Sequence, residues 1–417
     1  MVIPSLPWEL ESEILSRVPP TSVKQLRFTC KRWNALFKDY KFIKNHLCKA
    51  ATQMVLKKDK SVYSFSFDFH GIHNRYDQLI TFTGKLLSLK DSEDVEIYKT
   101  FHCEGLLLCT TKDNRLVVWN PCTGQTRWIQ SRLPINSYTE YQTCFLGYGN
   151  KNKSCYSFKI LRFTDYYHQT ERVGKFEISE FNSDSWKFFH DNVINRGRIS
   201  SLGVSLKGNT YWLGSDDEDL KGNSYWLDSD VFNPESEHYL VNFILRFDFT
   251  TERFERLSLP SQSDDSEAGE VISHWVLSVV REEKLALLSQ NFVYYSPLEM
   301  KIWMTNTKAD EVKDLSVRFV SWSKFLVVDL SNIYLMMRVV SFLVDEENEK
   351  VMCCHQEDDD QESTRIYVAG QDIYKPVYSD FKETHYDRRR KPLSPLLLSY
   401  VPSLVQIPAK QRIYDPF

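Results

Sequence analysis

The sequence predicts a small all-α unit over residues 1–50 followed by a large all-β domain over residues 51–417, a β-propeller in preference to a β-sandwich. Three observations carry this expectation. Apolar residues in the first fifty positions recur at helical spacing. Beyond residue 52 they alternate or cluster in short runs separated by turn residues. Roughly 360 residues of such strands overfill one two-sheet sandwich, whereas blades of about 40–50 residues accommodate them. Two customary marks of propeller repeats are missing, since the chain has neither a Gly-Gly pair nor a Trp-Asp dipeptide.

The bulk numbers agree with two domains of unequal size. A chain of 417 residues with 42% hydrophobic residues can bury a full core, and 14% aromatics with only 14 glycines favours strands. A net charge of −4 and a pI of about 6.2 argue against a nucleic-acid partner, which needs a basic surplus on one face. Met1-Val2-Ile3-Pro4-Ser5 has neither a basic nor an apolar leader segment, and no apolar run approaches the ~20 residues of a membrane span. The expected setting is intracellular, in cytoplasm or nucleus, with no membrane partner. Nine scattered cysteines without a C-x-x-C pair read as free thiols, with no metal or cofactor implied.

The helical part reads as follows. Leu10, Ile14, Leu15 and Val18 form one amphipathic stripe, Pro7 suits the first turn, and Glu9, Glu11 and Glu13 load the positive end of the helix dipole. Pro19-Pro20 stops this helix. Ser22-Val23-Lys24-Gln25 has the spacing of a capping box and starts a second helix, along which Val23, Leu26, Cys30 and Trp33 continue an apolar stripe with Leu36 and Phe37 behind it. A third, short helix runs from about Phe42 to Ala50 with Ile43 and Leu47 on one side. About forty residues rarely bury this much apolar surface, so Leu6, Leu10, Ile14, Leu15, Val18 and Trp33 must pack on the rest of the chain or dock on another protein.

These same residues carry a resemblance. Leu6-Pro7-x-x-Leu10-x-x-x-Ile14-Leu15-x-Arg17-Val18-Pro19, then Ser22-Val23-x-x-Leu26-Arg27-x-x-Cys30-Lys31-x-Trp33-x-x-Leu36, resembles the F-box motif. The doubled proline at Pro20 is a mild departure. The resemblance implies an adaptor-binding set of Leu6, Pro7, Leu10, Ile14, Leu15, Val18, Pro19, Leu26, Cys30, Trp33 and Leu36. Its implied partner is a Skp-type adaptor and, through it, a cullin-RING ligase.

The β region is read from Ser61–Phe69, Leu106–Leu108, Arg115–Trp119, Phe158–Phe163, Lys175–Phe181, Asn242–Phe249, Val276–Val280 and Tyr334–Val344. Turn signals at Asn120-Pro121, Thr123-Gly124, Lys207-Gly208-Asn209 and Asn233-Pro234 separate them. His102-Cys103-Glu104-Gly105-Leu106-Leu107-Leu108-Cys109, Val118-Trp119-Asn120-Pro121-x-Thr123-Gly124, Phe181-Asn182-Ser183-Asp184-Ser185-Trp186, Phe247-Asp248-Phe249-Thr250-Thr251 and Ser399-Tyr400-Val401-Pro402-Ser403-Leu404 are similar to blocks of the plant F-box-associated domain. Together the two resemblances imply a non-catalytic substrate receptor of an SCF-type ubiquitin ligase, holding an unidentified target protein on its β domain. An F-box protein acting outside degradation, or an enzyme with its site in the β domain, are the alternatives.

Several apparent motifs carry no chemistry. Gly147–Ser154 nearly matches a phosphate-binding loop, but Asn152 stands where the second glycine must be. Cys353-Cys354-His355 lacks a second ligand pair, and His102-Cys103 lacks an orienting third group. Glu357-Asp358-Asp359-Asp360 with Glu362 does not alternate as a calcium loop does, and Arg388–Lys391 is too short a basic cluster for a clear nuclear address. Asn152-Lys153-Ser154 is a glycosylation sequon by pattern only. One feature is peculiar to this chain: Leu206-Lys-Gly-Asn-Thr-Tyr-Trp-Leu213 recurs as Leu220-Lys-Gly-Asn-Ser-Tyr-Trp-Leu227. The first copy, preceded by Ile199–Leu206, is expected in a sheet, and residues 215–238 in an exposed acidic excursion.

Overall fold

The computed structural model describes residues 6–18, 20–49, 53–58, 61–67, 80–85, 95, 97–111, 113, 115–129, 141–149, 157–168, 171–181, 183, 185–189, 198–215, 241, 243–260, 271–293, 296–306, 320–331, 337–357, 364–380 and 395–407. The chain forms two compact units. One holds Met1–Gln53, Leu87–Phe189 and Tyr400–Phe417; the other holds Met54–Leu86 and His190–Ser399.

Four helices occur among the described residues where periodicity predicts three: α1 (Trp8–Leu15), α2 (Pro20–Leu26), α3 (Lys31–Leu36) and α4 (Tyr40–Lys49). Pro7 caps α1 from one position outside it, at φ −51° and ψ 142°, and Glu9 and Glu11 occupy the first turn. Pro20 takes the first helical position of α2, where its missing N–H is no loss. Ser22 therefore lies inside α2, and the capping-box start is corrected by two residues.

The single stripe from Val23 to Trp33 is also corrected. Arg27 to Thr29 form a turn, with Thr29 N–H donating to Leu26 O at 3.0 Å. Cys30 is extended at φ −154° and ψ 158°, and its Sγ accepts the Trp33 N–H at 3.4 Å, so it caps α3 rather than lining a helix face. Asp39 does the same for α4, accepting the Phe42 N–H on Oδ1 at 3.0 Å.

The described strands build six four-stranded sheets, the blades of a six-bladed β-propeller. The first uses β1 (Gln53–Lys58), β2 (Ser61–Phe67) and β3 (Ile80–Lys85). The next two are β4–β7 (Ile97–Cys103, Leu106–Thr111, Leu116–Asn120, Gln125–Ile129) and β8–β11 (Tyr141–Gly149, Ser157–His168, Glu171–Glu180, Lys187–Phe189). Then come β12–β15 (Arg198–Leu206, Asn209–Ser215, Phe243–Asp248, Arg253–Leu257) and β16–β19 (Val271–Val280, Lys284–Val293, Ser296–Thr305, Trp322–Asp329). The last meander is β20–β23 (Met337–Asp345, Lys350–Glu357, Thr364–Gly370, Ile373–Asp380), and β24 (Leu396–Tyr400) adds to the first sheet beside β1. The two ends of the β region are thus hydrogen-bonded into one sheet, which leaves β1 no open edge there. The sandwich alternative is set aside.

Turn chemistry fixes the registers. Glu104-Gly105 (φ 50° and 74°) joins β4 to β5, and Lys207-Gly208 (φ 50° and 80°) joins β12 to β13, two-residue hairpins with both central residues left-handed. The first copy of the duplicated octet therefore lies in a sheet, as its flanks predict; the second copy lies outside the described residues. A longer hairpin recurs three times. Asn120, Asp248 and Asp345 each accept the backbone N–H groups two and three residues on, and Gly124, Glu252 and Glu349 close these loops at positive φ. Interior strands such as β6 are buried on both faces, which is why Leu116-Val117-Val118-Trp119 reads as an unbroken apolar run.

Candidate functional site

Among the described residues, the helices sort their apolar side chains into two sets. Leu15, Val23, Leu36, Phe37, Phe42 and Ile43 are buried and form a small core, with the Phe37 and Phe42 rings 5.4 Å apart. His46 joins it: Nε2 donates to Val18 O at 2.9 Å, and burial pushes the imidazole below its ordinary range. Leu6, Leu10 and Ile14 are instead 53–55% exposed.

Geometry explains the division. Each helical residue turns about 100°, so Leu10 and Ile14 share a face while Leu15 is carried round to the inside. Leu6 continues the outward ridge, just ahead of the capping Pro7. The ridge is thus left over after the core has been filled, because α1 has one apolar edge for its neighbours and another for solvent.

The expected docking residues therefore fall into different roles. Leu6, Pro7, Leu10 and Ile14 face solvent; Leu15 and Leu36 are core; Val18, Leu26 and Trp33 are half-buried; Cys30 is exposed as a helix cap. Pro19 lies outside the described residues. Two aromatics of the helical unit are exposed as well: Trp8, against which the Arg32 guanidinium packs 4.8 Å from the ring centroid, and Phe28, 84% exposed in the turn after α2. Their signal was available, since both fall off the helical stripes that fill the core.

In the β domain three of the blocks that carry the resemblance are joined by hydrogen bonds. Asn120, fully buried, donates from Nδ2 to Ser403 O (3.0 Å) and Val405 O (2.8 Å), and its Oδ1 accepts the Cys122 and Thr123 N–H groups at 2.9 and 3.1 Å. Tyr400 Oη donates to Gly105 O at 3.3 Å, and Ile407 N–H donates to Gln125 Oε1 at 3.2 Å. The blocks around Gly105, Asn120 and Tyr400 thus meet in one latch for the C-terminal segment 401–407.

Some of the apparent motifs fall at least partly among the described residues. His102 accepts the Gly105 N–H on Nε2 at 3.0 Å, a turn contact that burial enforces by lowering the ring's pKa to about 4. Cys353, Cys354 and His355 are buried in β21, and burial pushes the Cys354 thiol up to about 12, far from thiolate chemistry at neutral pH. Gly147 and Gly149 belong to β8 rather than to a loop opening a helix. Residues 150–156, 358–363 and 388–391 lie outside the described residues.

Comparison with known proteins gives a consistent picture. The F-box domain profile matches residues 3–45, and that of the F-box associated beta propeller domain matches residues 53–407. A putative F-box/kelch-repeat protein of Arabidopsis thaliana is 50% identical over 408 residues, covering 96% of each chain. An Arabidopsis thaliana F-box/kelch-repeat protein is 43% identical over 417 residues, covering 98% of this chain and 96% of its own. A putative F-box only protein from the same plant is 42% identical over 416 residues, covering 96% and 95%.

Proposed function

Since this chain belongs to the F-box proteins that carry an F-box-associated β-propeller domain, we propose that it is the substrate-receptor subunit of an SCF-type cullin ubiquitin ligase. In this reading the helical residues bind a Skp-type adaptor and the propeller holds a target protein. The carrying observation is the outward ridge of Leu6, Leu10 and Ile14, apolar surface on a helix whose inner edge already fills the core. Burying a leucine or isoleucine side chain is worth about 1.5–3 kcal/mol, so three such residues supply the centre of a stable interface.

The chain's part in ubiquitin transfer is then physical rather than chemical. Holding a target beside a conjugating centre converts an encounter between two molecules into one within a complex and raises the effective concentration of acceptor lysines. The transfer chemistry belongs to the partners. Cytoplasm or nucleus is the setting we propose for this role.

The test is capture. Full-length protein co-expressed with a Skp-type adaptor and a cullin should co-purify with both, and Leu10→Asp with Ile14→Asp should abolish this while the far-UV spectrum stays unchanged. Undiminished capture by the double variant would overturn the assignment.

A further inference from the structure

The ridge is presented by a helix of only eight residues, too short to persist unless tertiary contacts hold it. Leu15 anchors its last turn in the core. Its first turns are anchored by a polar circuit. The Glu11 side chain, only 16% exposed, lies with Oε2 2.5 Å from Arg32 Nη2 of α3. Its Oε1 accepts the indole N–H of Trp33, also in α3. Arg32 in turn reaches back over the ring of Trp8, at 4.8 Å from the centroid. Chain contact therefore runs from α1 to α3 and back to α1, through a carboxylate that is enclosed and charge-paired.

We propose that Glu11 is a positioning residue for adaptor binding, fixing α1 on α3 so that Leu6, Leu10 and Ile14 meet the adaptor as one preorganised ridge. This rests on the adaptor-receptor reading of the helical residues. Glu11 is turned inward against α3, only 16% exposed, and its contribution is to remove the freedom that α1 would otherwise surrender on binding. The Glu11 carboxylate suits the task because it accepts the directional indole N–H of Trp33 while its charge holds Arg32, where an apolar contact would let the helix roll.

The measurement is affinity of the full-length protein for a purified Skp-type adaptor, with association and dissociation rates, alongside helix content and thermal unfolding. Glu11→Gln keeps an acceptor for Trp33 and removes the ion pair, so it should fold. It should weaken binding about ten-fold through faster dissociation, as a coupling of this class implies. Arg32→Gln should do the same, and the double variant should be no worse than either single one. Wild-type binding with no loss in either single variant overturns the inference and leaves the adaptor reading standing. Additive losses in the double variant also overturn it, because they mark two independent contacts rather than one shared pair. Failure of the wild-type protein to bind overturns both.

Discussion

Replacing Asn120 by alanine should unlatch the C-terminal segment of the propeller. The side chain is fully buried and makes four hydrogen bonds to backbone groups, two of them to the carbonyls of Ser403 and Val405 about 280 residues away. The turn N–H groups of Cys122 and Thr123 are part-exposed and can turn to water. The two carbonyls cannot, and a buried polar group stripped of its partner costs about 1–3 kcal/mol. The expected loss is thus about 2–6 kcal/mol, at the high end of what single substitutions do. Asn120→Asp separates the donor role from the acceptor role. It keeps an oxygen for the turn but points a carboxylate at two carbonyl oxygens, so at pH 7 it should be at least as damaging as alanine. It should recover part of the loss on acidification, when the protonated carboxyl can donate. Urea unfolding of the full-length variants, followed by tryptophan fluorescence, gives the numbers. A loss under about 1 kcal/mol in Asn120→Ala, or an aspartate variant as stable as wild type at pH 7, would refute the reasoning.

Three further outcomes are expected. Gly105→Ala should be harsher still, about 3 kcal/mol or more, since Gly105 sits at φ 74° and an added Cβ would lie 2.3 Å from Ser403 Cβ; soluble protein of wild-type melting temperature would contradict this. Arg162 and Glu177 pair across β9 and β10 at 2.7 Å, both nearly enclosed, with the guanidinium 3.9 Å from the Trp186 ring centroid. Glu177→Ala should cost about 3–5 kcal/mol in urea unfolding, while Arg162→Met with Glu177→Leu should be much milder, because only the single variant takes the carboxylate from a guanidinium that stays buried. His102 and His274 are both held down to about pH 4 by burial, whereas an unfolded histidine titrates near 6.5. Below about pH 6.5 the unfolded chain therefore binds more protons, and stability falls until about pH 4. At pH 5 the loss should be about 2 kcal/mol per ring, absent above pH 7, and a flat profile from pH 7.5 to 5 would contradict the assignment.

Much of the fold could be read in the sequence, because its punctuation is local. Lys207-Gly208 specifies a tight hairpin, and the runs around Leu106 and Val117 are apolar on both sides as interior strands require. Resemblance supplied the pairing of an F-box with a propeller, which periodicity alone would not. The helical unit was less legible. Val23, Leu26, Cys30 and Trp33 fit one helical ladder as well as they fit two short helices, and only the extended backbone of Cys30 decides between them. Periodicity likewise groups Leu10, Ile14 and Leu15 without saying which edge the neighbouring helices will cover. The role of Asn120 was hidden for a different reason: its partners are distant in the chain and are backbone atoms, which leave no mark on residue type. The three hairpins at Asn120, Asp248 and Asp345 share geometry, but only a side-chain oxygen at the first position announces it.

The most direct test of the account is the dissociation constant of the full-length chain for a purified Skp-type adaptor, measured for wild type, for Leu6→Ala with Leu10→Ala and Ile14→Ala, and for Leu15→Ala. Exposed ridge and buried core predict opposite signatures. The triple variant should lose at least about 100-fold in affinity with unchanged thermal unfolding, as about 3 kcal/mol of hot-spot contacts disappear. Leu15→Ala should lower the stability of the helices by about 2–3 kcal/mol, weakening binding only through their unfolding. An adaptor that ignores the wild-type chain, or binds the triple variant as tightly as wild type, would contradict the account.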